Sequence, residues 1–278
     1  MGKTIVAIMY DFDRTLCTKD MQEYGFIPAV GMQPREFWAE VSSLTDAQEM
    51  DNILAYMYLM VRKGTEKRIR ISRESFQKLG ADVEFFQGIP SWFDRINAYG
   101  ASIGVQVEHY IVSSGIKEII EGTSIARCFK EIYACEFMYD ENGVIVWPKL
   151  AVNYTAKTQF LFRINKGILR VDSSSAHALN EYTPEEERRV PFGNMIYIGD
   201  GLTDVPCMKL VRANGGQSIA VYDPQVGKGA ADALLRAQRV NYVAPADYRA
   251  NSRIEIIVKA VMRKIQAAAE MQALMKET

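Results

Sequence analysis

Residues 4–16 read TIVAIMYDFDRTL, a continuous apolar run that stops at two acids, Asp11 and Asp13. An unbroken run, as opposed to an alternating one, is the pattern of a strand buried on both faces, as strands are in a parallel sheet. In open parallel sheets ligands bind outside the carboxyl ends of the strands, so the two acids stand where a site would form. Two residues apart on an extended chain, they project to the same side.

Working outward from this strand, the same grammar recurs. Pro90 starts a helix carrying Trp92, Phe93, Ile96 and Tyr99, and Val105 to Val112 reads as a strand followed by Ser113, Ser114 and a helix from Gly115 to Glu121. Glu136 to Val146 reads as a hairpin turning at Glu141-Asn142-Gly143, and Thr155 to Ile164 as a helix with Lys157 at its start. Met195 to Ile198 is a strand that runs into GDGLTD, with Asp200 and Asp204, before a helix from Val205 to Val211 and a strand from Ser218 to Tyr222. This alternation predicts an α/β fold with a doubly wound, Rossmann-like parallel sheet. Ala178 to Arg189 reads as a charged surface insertion, and Ser252 to Lys276 as a long amphipathic helix.

The period changes between the first strand and the rest. Pro34 fits the first turn of a helix with Phe37, Trp38 and Val41 on one side. Thr45 and Gln48 form a capping-box signature for a second helix with Met50, Ile53, Leu54, Met57, Met60 and Val61, which should stop near Gly64. Ser72 to Leu79 is a third helix with Gly80 after it. The chain therefore divides into a core of residues 1–16 and 87–278 and an inserted helical domain of residues 17–86, in which the methionines are packing residues.

Composition narrows the function. With 33 Lys+Arg against 34 Asp+Glu in 278 residues, the net charge is −1, which argues against nucleic acid or an anionic membrane as partner. The four cysteines form no CxxC pair and the two histidines, His109 and His177, join no cysteine cluster, so neither a disulfide framework nor a zinc site is expected and a reducing, cytoplasmic setting fits. The apolar run from Ile5 to Tyr10 is too short for a signal or spanning segment. Nothing in the sequence sets the oligomeric state.

Four polar groups fall at strand or helix ends: Asp11 with Asp13, Ser113 with Ser114 and Gly115, Lys157, and Asp200 with Asp204. In this order and at these positions they resemble the haloacid dehalogenase-like hydrolase superfamily, whose pattern is a strand ending DxDxT, a strand ending in Ser or Thr, a Lys at a helix start and a strand ending GDGxxD. The helical insertion after DFDRTL and the hairpin before Lys157 resemble the phosphoserine phosphatase-like branch, with a helical cap after the first motif.

The residue types fit that chemistry. A phosphate dianion repels a carboxylate nucleophile, so a site built on aspartates needs Mg²⁺ and a lysine, here Lys157, to offset the charge. Asp11 is then the nucleophile that forms an aspartyl-phosphate, and Asp13 the general acid and base. The resemblance adds that the backbone carbonyl at Asp13 is a Mg²⁺ ligand. Asp200 is a metal ligand, while Asp204 either joins it or orients Lys157. The Ser113 hydroxyl and the amides of Ser114 and Gly115, at a helix start, would hold phosphate oxygens. Asp20 stands nine residues after Asp11, where phosphoserine phosphatases carry a Glu that meets the substrate amine. The basic residues Arg62, Lys63, Lys67, Arg68, Arg70 and Arg73 read as a solvated face in preference to a source of a guanidinium for a substrate carboxylate or second phosphate.

The sequence therefore predicts a Mg²⁺-dependent phosphomonoester hydrolase acting on a small phosphorylated metabolite. Two alternatives share its residues: a phosphotransferase or mutase using the same intermediate, and a non-catalytic phosphate-binding module.

Overall fold

A computed structural model of the protein describes residues 3–276. Strand β1 (Thr4–Tyr10) is followed by four helices, α1 (Phe26–Ala29), α2 (Pro34–Gln48), α3 (Asn52–Glu66) and α4 (Arg73–Leu79). The chain returns through α5 (Ile89–Ser102), β2 (Val105–Ile116), α6 (Lys117–Glu121), β3 (Glu131–Tyr139) and β4 (Ile145–Leu150). Then come α7 (Lys157–Lys166), α8 (Ser173–Asn180), β5 (Met195–Gly199), α9 (Val205–Ala213), β6 (Gln217–Tyr222), α10 (Gly229–Arg236), β7 (Tyr242–Pro245) and α11 (Arg253–Lys276).

The strands form one sheet in the order β4-β3-β2-β1-β5-β6-β7, parallel throughout except for β4. Five consecutive residues of β1, Val6 to Tyr10, and all of β5 are buried. Neighbouring strand residues point to opposite faces, so both faces of the sheet are covered, as the unbroken apolar runs require. Helices α5 and α11 pack together against one part of the sheet, and α7 and α9 against another. Ile254, Ile257, Val258, Val261, Met262 and Ile265 of α11 are buried, and Met57 and Met60 lie in the core as expected.

The helical segment leaves and rejoins the core at one place. Thr18 N–H donates to Glu84 O at 3.0 Å and Phe86 N–H to Leu16 O at 3.0 Å, so the outgoing and returning chains run side by side. Among the described residues, no helix is long and apolar enough to cross a membrane.

Three local expectations are corrected. The Thr45–Gln48 signature does not start a helix. α2 runs on through it to a left-handed Glu49 (φ 49°), and Asp51 caps α3 by accepting from the N–H groups of Ile53 and Leu54 at 2.9 and 3.2 Å. A carboxylate at a helix N-terminus also meets the positive end of the dipole, which Thr45 would not. Second, β2 continues through Ser113 to Ile116, because after a bulge Ile116 still pairs with Cys135 of β3, and the next helix starts only at Lys117. Ser114 and Gly115 are thus strand residues, and the helix-dipole argument for them fails. Third, β7, preceded by α10, extends the sheet beyond the expected elements; the 178–189 stretch lies at the surface as expected, with Arg189 at its end pairing with buried Glu108.

His109 is a core residue. Trp92 Nε1 donates to Tyr10 Oη at 2.9 Å, Tyr10 Oη lies 3.0 Å from His109 Nδ1, and His109 Nε2 lies 3.0 Å from Asn97 Oδ1. The chain of bonds is complete with a proton on Nε2, and burial pushes the imidazole down to about 3, so it stays neutral.

Candidate active site

The carboxyl ends of β1, β2 and β5 and the start of α7 converge on one cavity of about 310 Å³, lined by Asp11, Asp13, Ser113, Ser114, Lys157 and Asp200 from the sheet side. Parallel pairing produces this convergence. Tyr10 is in register with Ile111 on one side and Ile198 on the other, so chain beyond each point emerges at the same edge.

At the centre is Lys157, fully buried, whose Nζ donates to Asp11 Oδ1 at 2.9 Å and Asp204 Oδ1 at 2.8 Å. Asp204 is otherwise satisfied by Tyr197 Oη–H at 2.8 Å and by the Gly201 amide at 3.4 Å. A Cβ on Gly199 would stand 2.3 Å from Asp204 Oδ2, so glycine is required for this carboxylate to fold back against its own strand end. Asp204 does not reach the cavity wall. Asp11, Asp200 and Asp204 each offer an oxygen within 4.8 Å of the others.

Unlike Asp204, Asp200 has no hydrogen-bond or ion-pair partner among the described residues. Burial, with Asp204 and Asp11 nearby, pushes its carboxyl up to about 8. Burial and Asp204 likewise raise Asp11 to about 6 against the opposing pull of Lys157. Burial, then Asp20 and Asp11, raise Asp13 well above the usual carboxylate range. Asp13 Oδ1 accepts from Met21 N–H at 2.8 Å, and a Cβ at Gly115 would meet Met21 Cε at 2.0 Å and Asp13 Oδ2 at 2.9 Å. Position 115 therefore has to be small for Met21 and Asp13 to pack there. Its own amide is used internally, donating to Ser113 Oγ at 3.0 Å, while Ser114 Oγ donates to Val152 O at 2.7 Å.

The helical segment closes the opposite wall with Gln22, Trp38, Asn52, Ile53 and Tyr56, and Tyr154 stands at the rim. Tyr56 Oη–H donates to Ser114 O at 2.6 Å, and Asn153 Nδ2 donates to Asp51 Oδ2 at 2.9 Å, joining this wall to the core. Asp20 also reaches the cavity, but both its oxygens are taken by Arg14, from Nε at 3.1 Å and Nη2 at 2.9 Å. Arg14 is held in a left-handed conformation (φ 55°). Of the basic stretch, Arg62 and Lys63 pair with Glu40 and Arg73 with Glu118, Glu121 and Glu136, and none of the six lines the cavity. Gln22, Trp38 and Tyr56 were not singled out by sequence as cavity residues; no local signal marks a cap residue as facing the core.

The sequence profile of haloacid dehalogenase-like hydrolases matches residues 8–209. A protein of Borreliella burgdorferi without assigned function is 30% identical over 236 residues, covering 76% of this chain and 79% of its own. Among solved structures, a probable phosphoserine phosphatase from Vibrio cholerae superposes with a TM-score of 0.56 at 13% identity, over 95% of this chain and 67% of that one. A substrate-bound phosphoserine phosphatase gives 0.52 at 13% identity, over 87% and 93%. A hydrolase of the same family from Salmonella enterica gives 0.54 at 16%, and this chain spans 85% of itself and 66% of that structure. The structural likenesses concern the fold; the profile match, over residues 8–209, shows that the chain belongs to the haloacid dehalogenase-like hydrolase family.

Proposed function

We propose that the protein is a Mg²⁺-dependent phosphomonoester hydrolase working through a phosphoaspartyl group on Asp11, with residues 17–86 as a cap over a core of residues 1–16 and 87–278. The observation that carries this is the half-buried, unpartnered Asp200 carboxyl beside Asp11: with no protein donor or cation bonding it, it holds its proton up to about pH 8 unless a hard cation meets it. An all-oxygen donor set fits Mg²⁺, with Asp11, Asp200 and the backbone carbonyl of Asp13 as the residues to hold it. When bound, the ion offsets the charge of phosphate oxygens facing the carboxylates. Asp204, satisfied by Lys157, Tyr197 and Gly201, serves to fix Lys157.

An oxygen of Asp11 attacks phosphorus, and the bond from phosphorus to the leaving alcohol oxygen breaks as Asp13 delivers its proton there. Asp13, now a carboxylate, takes a proton from water as that water attacks phosphorus, and the bond from phosphorus to the Asp11 oxygen breaks, returning the carboxylate and releasing orthophosphate. Lys157 keeps Asp11 oriented and balances its charge, while Ser113 and Ser114 border the phosphate position. Trp38 and Tyr56 cover the site, which strengthens every electrostatic contact inside it.

The test is phosphate release with Mg²⁺ and rapid-quench trapping of labelled enzyme. Asp11→Asn should abolish both. Asp13→Asn should slow turnover on the order of 10²- to 10⁴-fold and let the phosphoenzyme persist. Substantial turnover by Asp11→Asn would show that the nucleophile is misassigned.

A further inference from the structure

The wall facing the phosphate position has an unusual balance of groups. Among the described residues its cations are Arg14 and Lys157. Lys157 is enclosed by Asp11 and Asp204, and Arg14 is engaged by both oxygens of Asp20 with Glu23 3.9 Å away. The charges of Arg14, Asp20 and Glu23 sum to −1, so a carboxylate or second phosphate entering beyond the phosphate position meets no excess positive charge. Like charges brought together out of water are a strong device for rejecting a ligand.

What the wall does offer is a carboxamide and ring surface. Gln22 is 2% exposed, lines the cavity, and its Oε1 has no hydrogen-bond partner. It sits in a short 3₁₀ turn fixed by its neighbour Met21, whose amide bonds Asp13 and whose Sδ accepts from Ile116 N–H at 3.1 Å. The carboxamide thus lines the same cavity as the proposed acid, with its oxygen left unsatisfied. A buried polar group in that condition costs about 1–3 kcal/mol until something bonds it. A hydroxyl suits a carboxamide in either orientation, because it both donates and accepts. Trp38 and Tyr56 have spent their polar atoms, Nε1 on Glu23 Oε1 at 3.0 Å and Oη on Ser114 O, so they present ring carbons. Ring faces pack well against the C–H surface of a polyol.

Resting on the phosphatase reading, we infer that this cavity selects monophosphates of neutral, polyhydroxylated alcohols, of the size of a sugar or polyol phosphate, and rejects esters with a second anionic group, with Gln22 as the residue that reads a hydroxyl. Phosphoserine-like esters, whose carboxylate finds only cations already balanced by carboxylates here, fall on the rejected side.

The experiment has two arms. In the first, kcat/KM with Mg²⁺ is measured for hexose 6-phosphates and glycerol 3-phosphate against propyl phosphate, phosphoserine and a bisphosphate. The polyol esters should exceed each of the others at least tenfold, and Gln22→Leu should lower the ratio of polyol to propyl phosphate at least tenfold. Gln22→Met, closer in shape, replaces Gln22→Leu if the latter does not fold. In the second arm, calorimetry on the wild-type protein with Mg²⁺ compares phosphonate analogues of a polyol phosphate and of phosphoserine, which cannot be hydrolysed. Preference for the polyol phosphonate supports the inference even where nothing is turned over, in which case only the hydrolase reading falls. Preference for phosphoserine or the bisphosphate, or a ratio unchanged by both Gln22 variants, overturns the inference and leaves the hydrolase reading standing.

Discussion

Replacing Lys157 by Met removes one cation from between two carboxylates in a fully buried setting. Its Nζ bonds lie at 2.9 Å to Asp11 and 2.8 Å to Asp204, and Asp204 has no solvent exposure. Breaking a buried pair by deleting one partner typically costs 3–5 kcal/mol, because the charge left behind is uncompensated. Tyr197 and the Gly201 amide still bond Asp204, so about 3 kcal/mol, the low end of that range, is expected at pH 8. The sign of the pH dependence follows from Asp11, already raised to about 6 in the presence of Lys157. A carboxyl whose folded value lies above its unfolded one is fully favourable below the unfolded value and loses stability as pH rises through the folded one. Losing Lys157 pushes Asp11 higher still, extending that loss upward in pH. The deficit of the variant should therefore grow from pH 5 to pH 8. Urea unfolding with a chelator present measures it, and Lys157→Met combined with Asp204→Asn should recover at least half of the loss at pH 8. An equal deficit at both pH values, or a double variant weaker than the single one, would refute the charge argument.

Mg²⁺ should raise Tm more at pH 8 than at pH 5, since Asp200 and Asp11, pushed up to about 8 and about 6, must lose protons to hold a cation; thermal scans with and without a chelator check this. Glu108 is buried, yet bonds from Arg189, Lys130 and Tyr110 outweigh the burial and hold it at about 2, so its contribution exists above pH about 4.5 and disappears as pH falls through 2. Glu108→Gln should cost about 2 kcal/mol at pH 7 in denaturant titrations, after discounting for the partly exposed cations, and almost nothing near pH 2.

The site's carboxylates were legible because each follows a strand written in apolar residues, and a parallel sheet brings such endings to one edge regardless of the details between them. DFDRTL and GDGLTD needed only that. The rest depends on contacts that span the chain. The Asp20 position suggested amine recognition, but its occupation by Arg14 comes from a left-handed backbone at residue 14 that nothing local demands. Ser113 to Gly115 looked like a helix start because Gly and Ser often sit there, whereas pairing with β3 carried the strand further. β7 was missed because four residues ending in Pro245 carry too little pattern. Gln22 gave no sign at all: an amide is conspicuous only once it is seen buried without a partner.

The insertion is not mechanically uniform. A Cβ on Gly80 would stand 2.4 Å from Ile119 O, and one on Gly122 1.8 Å from Gln77 O, so the end of α4 and the end of α6 touch backbone to backbone. Arg73 at the other end of α4 is tied to Glu118, Glu121 and Glu136, and Ile145 N–H donates to Ile71 O at 3.0 Å. Trp38, Asn52, Ile53 and Tyr56, which face the cavity, all belong to the hairpin of α2 and α3, which meets the core through lighter contacts such as Tyr56 to Ser114. In the proposed phosphatase, substrate would enter by a swing of this two-helix door on a frame of which α4 is a fixed post. Amide exchange should accordingly run faster over residues 34–66 than over 73–82, and equal protection of the two segments would mean the insertion moves as one block.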